Sequence, residues 1–558
     1  MKINKIIYSA LAATIMAVGL VSCSDSFLDE KMFSSYGSDV EDVNAKIIGL
    51  HRQYATLWGM SSRQGFTGCW QDGTDVGAPG DVEGVETPFY QYGSLNSENG
   101  GVGYLWNSLY GIINSANIII NTENVNAAAK AEAEFFRAYS YNLLVTLWGN
   151  VPLITESTPV PRTDYTRNSV SEVDAVITAD LNDAIANLPE VDKTVTQNRI
   201  NKDCARILAA EAFLRMGKNA EAEAAVTPTI TSGNYKLVQE RYGKFLADAG
   251  DYYSDMFRWG NQRRSQGNTE GIWVFQMEYE RDVVGGTIDS PQQRRNWVAA
   301  FHKIEGMVNA DSIGGRGNGR LRLSNYVKYG IYQKGDIRNS NHNIRRVVYY
   351  NNPTYSADIW VKDGYRVDEG TSGATKIHVQ TGDRAYWTVA DTLNTMYPHP
   401  TKWGGYDETD DFGYAIVKDW PIMRLADAYL LRAEARIKQN NAAGAAEDIN
   451  VLRDRAFKTY RAETGDATAG AVSAADMNID FLLDERIREL VSEENRRYTL
   501  CRTGKLAERV QMIMEHWAEG AENKKITGFN PSTHTLLPIP LSEIQLNKDA
   551  TLEQNPGY

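Results

Sequence analysis

Two similar stretches constrain the fold more than any other feature of the chain: AEAFLRMGKNAEAEAA at 210–225 and AEARIKQNNAAGAAED at 433–448. Each contains Ala-Glu-Ala, then a polar turn, then the alanine-rich start of a second helix. Small side chains let helices approach closely, and helix–turn–helix units of this kind stack as tetratricopeptide-like solenoids. The repeat predicts a mostly α-helical scaffold of helix pairs. The alternative is that alanine and glutamate simply recur in a helix-rich chain.

Further helical patterns lie towards both ends of the chain. Over 129–148, apolar residues including Phe136, Tyr139 and Leu143 recur at helical spacing on one face, and Gly149 is expected to end the helix. The other predicted helices span 171–189, 201–217, 421–439, 443–457 and 478–496.

Residues 231–420 have a different composition. Gly, Asn, Tyr and Trp are frequent, and apolar runs are short, as in GIWVFQMEYE at 271–280, which predicts a strand. Long loops on a rigid scaffold are where binding usually occurs. We therefore expect one compact globule with minor β structure, made of a signal peptide at 1–22, a helical region at 23–231, a loop-rich inserted region at 232–419 that contributes to a ligand face, and a helical region at 420–558.

The N-terminus has the layout of a lipoprotein export signal. Lys2 and Lys5 precede an apolar stretch at 6–21, which is short for a membrane span. The sequence LVSC at 20–23 fits the bacterial lipobox, in which the cysteine is lipidated and becomes the new N-terminus. Several acyl chains anchor a protein stably, because each buried CH₂ contributes about 0.8 kcal/mol. We expect Cys23 to be the lipid attachment site; the alternative is an ordinary signal peptide followed by a chance cysteine.

Charge and cysteine usage exclude several other classes. The 558-residue chain has a formal charge of −13, which argues against nucleic acid and against anionic lipid as electrostatic partners. Besides Cys23 there are Cys69, Cys204 and Cys501, an odd number without a CxxC pair, so no disulfide framework is expected. Cys204 lies in a helical pattern and is expected to be a core residue.

Motifs that would carry catalysis are missing from the sequence. The seven histidines form no HExxH motif, and there is no GxSxG nucleophile elbow, so neither a metal nor a cofactor is expected. The glycines of SIGGRGNGR at 312–320 lack a phosphate-binding context and predict a turn-rich loop. Carboxylates are plentiful, so a glycosidase pair remains conceivable, but a sequence does not define the separation that such a pair needs.

Acidic and basic residues alternate towards the C-terminal end of the chain. Their spacing is most simply interpreted as an ion-paired helix face. The residues concerned are Glu485, Arg486, Arg488, Glu489, Glu493, Glu494, Arg496 and Arg497.

Aromatic residues beside short polar ones in loops are the most informative functional feature. One cluster lies in QGFTGCWQDGTDVGAPGDVEGVETPFYQYGSLNSENG from residue 64, and another in SPQQRRNWVAAFH at 290–302. Flat apolar rings flanked by amides, carboxylates and guanidinium groups suit a sugar, whose C–H face stacks on the ring while its hydroxyls bond the polar groups. The alternative is that these rings fill gaps beneath long loops. Trp106, Trp148 and Trp420 are expected to be structural.

Several segments together resemble the SusD/RagB family of surface lipoproteins over nearly the whole chain. The segments that carry the resemblance are CSDSFLDE after the lipobox, LWNSLYGIINSANIII at 105–120, AEFFRAYSYNLLVTLWGNVPLIT at 133–155, NSVSEVDAVITADLNDAIANLP at 168–189, WPIMRLADAYLLRAEA at 420–435, INVLRDRA at 449–456, LLDERIRELVSEENRRYTLCR at 482–502 and LPIPLSEIQLNKDATLEQNPGY at 537–558. Their number and order make the resemblance specific.

The resemblance implies a fold and a role. The fold would be mostly helical, with tetratricopeptide-like pairs and a loop-rich ligand face. The role would be that of a non-catalytic lipoprotein on the outer-membrane surface, which captures oligosaccharides or polysaccharides and delivers them, as a hinged lid, to a SusC-like TonB-dependent transporter. The alternatives are a peptide-binding member of the same family, a secreted glycoside hydrolase and a pure scaffold protein.

The resemblance also indicates where ligand contacts are expected. Family members bind ligands through loops that correspond here to about 63–98 and 281–302. Within these loops Trp70 and Trp297 are the predicted stacking platforms. The further candidates are Tyr90 and Tyr92 as additional rings and Arg63, Asp72, Asp75 and Asn96 as polar partners. The sequence does not identify the sugar.

Overall fold

The structure, a computed structural model, describes residues 42–59, 64–80, 84–158, 160–191, 199–278, 291–394, 396–410, 413, 415–517 and 525–558. The predicted signal peptide, Cys23 and Arg63 lie outside the described residues, as does the part of the second predicted ligand loop at 281–290.

The fold is mostly α-helical, as the sequence predicts. Within the described residues the helices are α1 (Val43–Leu57), α2 (Gly100–Ile120), α3 (Ala127–Trp148), α4 (Val170–Asn187), α5 (Lys202–Arg215), α6 (Asn219–Thr231), α7 (Tyr252–Asp255), α8 (Gln293–Trp297), α9 (Val389–Asn394), α10 (Leu425–Lys438), α11 (Ala442–Thr464), α12 (Ile479–Leu490), α13 (Arg496–Arg502), α14 (Leu506–His516), α15 (Pro531–His534) and α16 (Leu541–Leu546).

Successive helices pack side by side into one continuous stack. From α1 to α6 each helix packs against the next one in sequence, and α10 packs against α11. Helix α6 packs directly against α10, so the two stretches of the sequence repeat form adjacent helix pairs. Ala210, Ala212, Ala433 and Ala435 are fully buried, which is the close approach that the small residues predict. The tetratricopeptide-like scaffold is therefore confirmed.

Helix α3 lies at the centre of the largest hydrophobic core. Asn126 caps its start, where the side chain accepts a hydrogen bond from the backbone of Ala129. Gly149 ends it in a backbone conformation with a φ of +74° that favours glycine, as predicted. Trp148 is buried, packs on Trp106 with ring centroids 5.5 Å apart, and donates from its indole nitrogen to the Pro538 carbonyl at 2.8 Å. Both tryptophans are structural, as expected.

Short antiparallel strands occupy the middle of the chain. Within the described residues they are β1 (Gly77–Pro79), β2 (Gly271–Phe275), β3 (Leu321–Leu323), β4 (Ile344–Arg345), β5 (Ser356–Lys362), β6 (Tyr365–Val367), β7 (Thr375–Gln380), β8 (His399–Pro400) and β9 (Trp420–Arg424). The pairs are β1 with β3, β2 with β9 and β4 with β8, and β5 lies between β6 and β7. The predicted strand at 271–280 is thus confirmed over its first half.

Three predicted helix boundaries are wrong: the helix predicted over 443–457 continues to Thr464, and the other two differ for tertiary reasons. The helix predicted from residue 421 begins at Leu425, because 420–424 pair with β2 as strand β9. The helix predicted over 478–496 ends at Leu490, and Ser492 has a positive φ of 65°. The break turns Glu493 and Glu494 inwards, and Asn495 then caps the following helix α13.

None of the helices in the described part of the chain has the length and hydropathy that would let it cross a membrane. Cys204 is fully buried, as expected of a core residue.

Candidate functional site

The two predicted stacking tryptophans lie in the interior. Trp70 and Trp297 are each 1% exposed. Trp70 packs against Trp58 with ring centroids 5.9 Å apart, and Trp297 lies in a cluster with Leu321 and Trp403. Neither ring has a face open to solvent, so burial favours the alternative in which these rings fill space beneath long loops. Their contact with a ligand stays a prediction.

The predicted tyrosines are also buried, and one of them is held from two sides. Tyr92 donates its hydroxyl hydrogen to the Gly73 carbonyl at 2.9 Å and accepts a hydrogen bond from Arg497 at 3.0 Å. Arg497 also donates to the carbonyls of Cys69 and Asp72, at 3.0 and 2.6 Å. Tyr90 is 1% exposed. Arg497, at the start of α13, therefore holds in place the loop before β1 and the segment to Tyr92, which carry most of the predicted site residues.

The predicted polar partners occupy three different environments. Asp75 is buried in a bidentate ion pair with Arg496, at 2.7 Å for both bonds. Asp72 is buried without a hydrogen-bond partner for its carboxylate among the described residues, and burial followed by the charge of Glu86 raises its pKa well above the usual range. Asn96 is exposed and accepts a local hydrogen bond from the Glu98 backbone at 2.9 Å.

The alternating charges near the C-terminus form ion pairs, as the sequence predicts, but they do not lie on one helix face: most of them are buried and pair with other segments of the chain. Glu489 is fully buried and paired with Arg338, Arg424 and Arg455. Burial raises the pKa of its neighbour Glu485, but the surrounding arginine charges outweigh this effect and hold that pKa at about 2. The ion pairs cross between distant segments of the chain, which a helical spacing of charges does not reveal.

An open groove of about 580 Å³ lies in the loop-rich middle of the chain. It lies between the loop before α7, the loop before β3, the segment from Asn341 to Asn351 and the turn after β8. Tyr349 lines it with 55% of its surface exposed. The ring is accessible to a ligand in a way that the predicted tryptophans are not.

The walls of the groove carry hydrogen-bonding groups and are internally braced. Arg258 bridges Asp248 and Asp311, at 3.1 and 3.2 Å, and leaves both carboxylates largely exposed. The side-chain amide of Asn351 bonds both backbone groups of Val308, at 2.8 and 2.9 Å, which holds the loop beside Tyr349 in place. An exposed ring with carboxylate, imidazole and hydroxyl groups around it can stack on a sugar and bond its hydroxyls.

Sequence reasoning missed this groove although a signal was present. The stretch RRVVYYNNP at 345–353 places aromatic residues beside amides, the same pattern that singled out residues 64–98. The two tyrosines differ in structure: Tyr349 is exposed and Tyr350 is 1% exposed. The pattern could have identified the segment, but only the fold determines which ring faces the ligand.

A second, smaller cavity of about 80 Å³ lies between α3, α5, α10 and α12. Burial and the nearby charge of Asp427 raise the pKa of Glu211 in its wall to about 8. A carboxyl with a raised pKa is one requirement of a glycosidase acid. The lining of this cavity belongs to the aromatic core and the buried ion pairs, and its volume is far smaller than that of the groove. Among the described residues no group of three or more His, Cys, Asp or Glu side chains could hold a metal ion.

Comparisons with known proteins cover both ends of the chain. A family model described as "SusD family" matches residues 318–558, and one described as "Starch-binding associating with outer membrane" matches residues 27–214. SusD-like protein P25 of Formosa agariphila is 25% identical over 551 residues, which are 93% of this chain and 92% of that protein. Starch-binding protein SusD of Bacteroides thetaiotaomicron is 35% identical over 140 residues, 25% of this chain and 22% of its own.

A solved structure has the same fold. The laminarin binding SusD-like protein superposes with a TM-score of 0.64 at 21% identity, covering 92% of this chain and 99% of that one. At this identity the likeness concerns the fold alone.

Proposed function

Because this chain belongs to the SusD family, we propose that it is a non-catalytic lipoprotein of the outer-membrane surface that captures oligosaccharides and delivers them to a SusC-like TonB-dependent transporter. One matched family model is described by starch binding and association with the outer membrane, and one relative in fold is named for laminarin binding. In the proposed role the lipid on Cys23 holds the protein by one end, and the body acts as a hinged lid over the transporter.

The observation that carries the binding role is the open groove around Tyr349. Its ring offers an accessible apolar face, and the carboxylates of Asp248 and Asp311 and the imidazole of His342 offer groups for sugar hydroxyls. The groove lies on loops supported by a continuous helical stack, so its shape is set before a ligand arrives. Such preorganisation reduces the entropy cost of binding.

Glycan binding by matched variants tests the proposal. We expect Tyr349→Ala to weaken glycan affinity about tenfold or more, because loss of one stacking platform removes roughly 1–3 kcal/mol of binding free energy. Tyr329→Ala is the matched control: Tyr329 is also exposed, at 66%, but does not line the groove. Calorimetry against plant, microbial and host polysaccharides measures the affinities, and thermal unfolding shows that both variants are folded.

The outcomes separate the open alternatives. Glycan binding that is lost in Tyr349→Ala and kept in Tyr329→Ala supports the proposal. Binding of peptides in place of glycans would favour the peptide-binding alternative. Release of reducing ends from any of the polysaccharides would favour a hydrolase. If no glycan binds, alone or with the transporter present, the proposed function is wrong.

A further inference from the structure

One arginine in the groove has no ion-pair partner among the described residues. Arg345, on β4, lines the groove, and within the described part of the chain its guanidinium has neither a hydrogen-bond partner nor an ion pair. Two inward-facing arginines elsewhere in the fold differ from it. Arg424 pairs with three glutamates and Arg496 pairs bidentately with Asp75. A half-buried charge without a hydrogen-bond or ion-pair partner is costly, so its persistence in the wall of a groove points to an external partner.

The groups around Arg345 do not form an ion pair with it. Burial lowers the pKa of Arg345 and the charge of Asp311, on the same groove, raises it, but the Asp311 carboxylate pairs with Arg258, at 3.2 Å, and not with Arg345. His399 is the cross-strand neighbour of Arg345, and burial together with the arginine's charge lowers the imidazole pKa well below its usual range, so the ring is neutral. Lys418 donates to the carbonyl of Gly404, a residue of the groove wall, at 2.7 Å, and thus brings an amine and no carboxylate to this side of the groove.

The backbone leaves space for this guanidinium. Gly314, in the groove wall, has a φ of +83°, and a Cβ atom on it would lie 2.9 Å from Nη1 of Arg345. A side chain at this position would displace the guanidinium. Burial lowers the pKa of Arg345 only to about 10, so the group carries its charge at neutral pH.

We propose that the groove selects glycans that carry an oxyanion, either a uronate carboxylate or a sulfate ester, and that Arg345 binds this group. The planar guanidinium fork matches both oxyanions with two parallel hydrogen bonds, and the bound anion offsets the unpaired charge. Tyr349 would stack on a neighbouring sugar ring of the same ligand. This inference rests on the proposed function, because it names the class of glycan that the groove takes.

Pairs of glycans that differ only in charge test the inference. Oligogalacturonate is compared with its carboxyl-reduced form, and a sulfated galactan oligosaccharide with its desulfated form, by calorimetry on the mature protein at low salt. We expect the charged member of at least one pair to bind about tenfold or more tightly than its neutral partner. Arg345→Gln should abolish this difference, and Arg345→Lys should retain part of it, because lysine keeps the charge without the fork.

Controls separate binding from folding. Arg345→Gln should not lower the unfolding midpoint, since the guanidinium has no intramolecular partner to lose and its removal relieves the cost of a half-buried charge. Arg162→Gln removes an exposed arginine that contacts Asp164 and the Tyr165 ring and does not line the groove, so it should change neither affinity nor, by more than about 0.5 kcal/mol, stability. If charged and neutral members bind alike, or Arg345→Gln keeps their ratio, the inference is overturned and the proposed function stands. If none of the glycans binds, charged or neutral, the proposed function fails and the inference fails with it.

Discussion

An aromatic residue binds a sugar only if one face of its ring is open, so solvent exposure distinguishes the candidate residues more sharply than their identity does. Trp70 and Trp297 are each 1% exposed, whereas Tyr349 is 55% exposed. Their neighbours explain the difference. Trp70 packs against Trp58, and Trp58 packs against Trp420, so Trp70 belongs to a cluster of packed aromatic rings.

Trp70→Ala should therefore act on stability. We expect the free energy of unfolding to fall by about 3–5 kcal/mol, because removal of a buried indole leaves a cavity in the core. Trp297→Ala should behave similarly. Denaturant unfolding measures both, with Tyr349→Ala as the exposed aromatic control that should change stability by less than about 0.5 kcal/mol. Loss of glycan affinity with unchanged stability in Trp70→Ala would instead identify this ring as a stacking platform.

Glu211 should make the stability of the protein depend on pH. Its pKa is raised to about 8, so between its ordinary value of 4.5 and that value the folded state keeps a proton that the unfolded chain releases. The stabilisation is thus fully present at low pH and is lost as the pH rises towards 8. Glu211→Gln, which cannot ionise, should match the parent near pH 5 and exceed its unfolding free energy by about 1 kcal/mol or more at pH 9.

Urea unfolding at pH 5, 7 and 9 measures this difference. Glu463→Gln is the control, because Glu463 is exposed at the end of α11 and its replacement should leave the pH profile of the parent unchanged. An equal stability difference between parent and Glu211→Gln at all three pH values would contradict the prediction.

At the scale of elements, the connection between α12 and α13 organises both the buried charges and the N-terminal loop. The helix ends at Leu490, and the residues beyond this end contact two different segments of the chain. Glu493 pairs with Arg424 of strand β9, while Arg497 holds backbone carbonyls of the loop before β1. The short connection between α12 and α13, together with the start of α13, thus contacts both strand β9 and the loop before β1, which are several hundred residues apart in sequence.

Arg497→Met should detach this loop. The change removes donors from the carbonyls of Cys69 and Asp72, and we expect it to lower the unfolding free energy by about 2–4 kcal/mol. Hydrogen exchange should accelerate chiefly over 64–98, because the loss of contacts is local. Arg461→Met, on the outer side of α11, should leave exchange over 64–98 unchanged. Uniform acceleration across the whole chain would show that the arginine supports the core in general.

The same elements show how far a sequence predicts this fold. Helix α3 was predictable because its periodicity, its cap and Gly149 are all local signals. The end of the helix at Leu490 was not predictable from local signals. It accompanies the ion pairs of Glu493 with Arg424 and of Glu494 with Arg486, and tertiary packing determines where these arginines lie. Helical spacing alone predicted one continuous helix with an ion-paired face.

The site was less predictable than the fold for a related reason. A sequence indicates that aromatic and polar residues are adjacent, but not which of them face solvent. Tyr349 and Tyr350 are neighbours of identical chemistry. Tyr350 turns inwards because its backbone bonds Asp383 and Gly382, at 2.9 and 2.8 Å, which leaves Tyr349 facing the groove. Segments distant in sequence therefore determine which ring can meet a ligand.

At the scale of the whole molecule, the helical stack and the groove have separate tasks. The stack from α1 to α6, continued by α10 and α11, supplies the large cores, and the groove is built from the loops inserted between its two parts. Substitutions in the groove can thus change ligand choice with little effect on folding. The attachment to the membrane is proposed at a third place, Cys23, at the start of the mature chain.

This separation predicts that anchoring and binding can be uncoupled. Cys23→Ala should abolish lipid attachment, and with it the stable membrane association that several acyl chains provide at about 0.8 kcal/mol per buried CH₂. Glycan affinity of the released protein should equal that of the parent, because the groove lies in the folded body. Cell fractionation in a strain without the transporter, with metabolic labelling by a fatty-acid probe, measures the membrane association, and calorimetry measures the glycan affinity.

Cys204→Ala is the matched control, since this cysteine is buried in the core and should affect stability without changing fractionation. A Cys23→Ala protein that still fractionates with the outer membrane would show that something other than the lipid holds the molecule there.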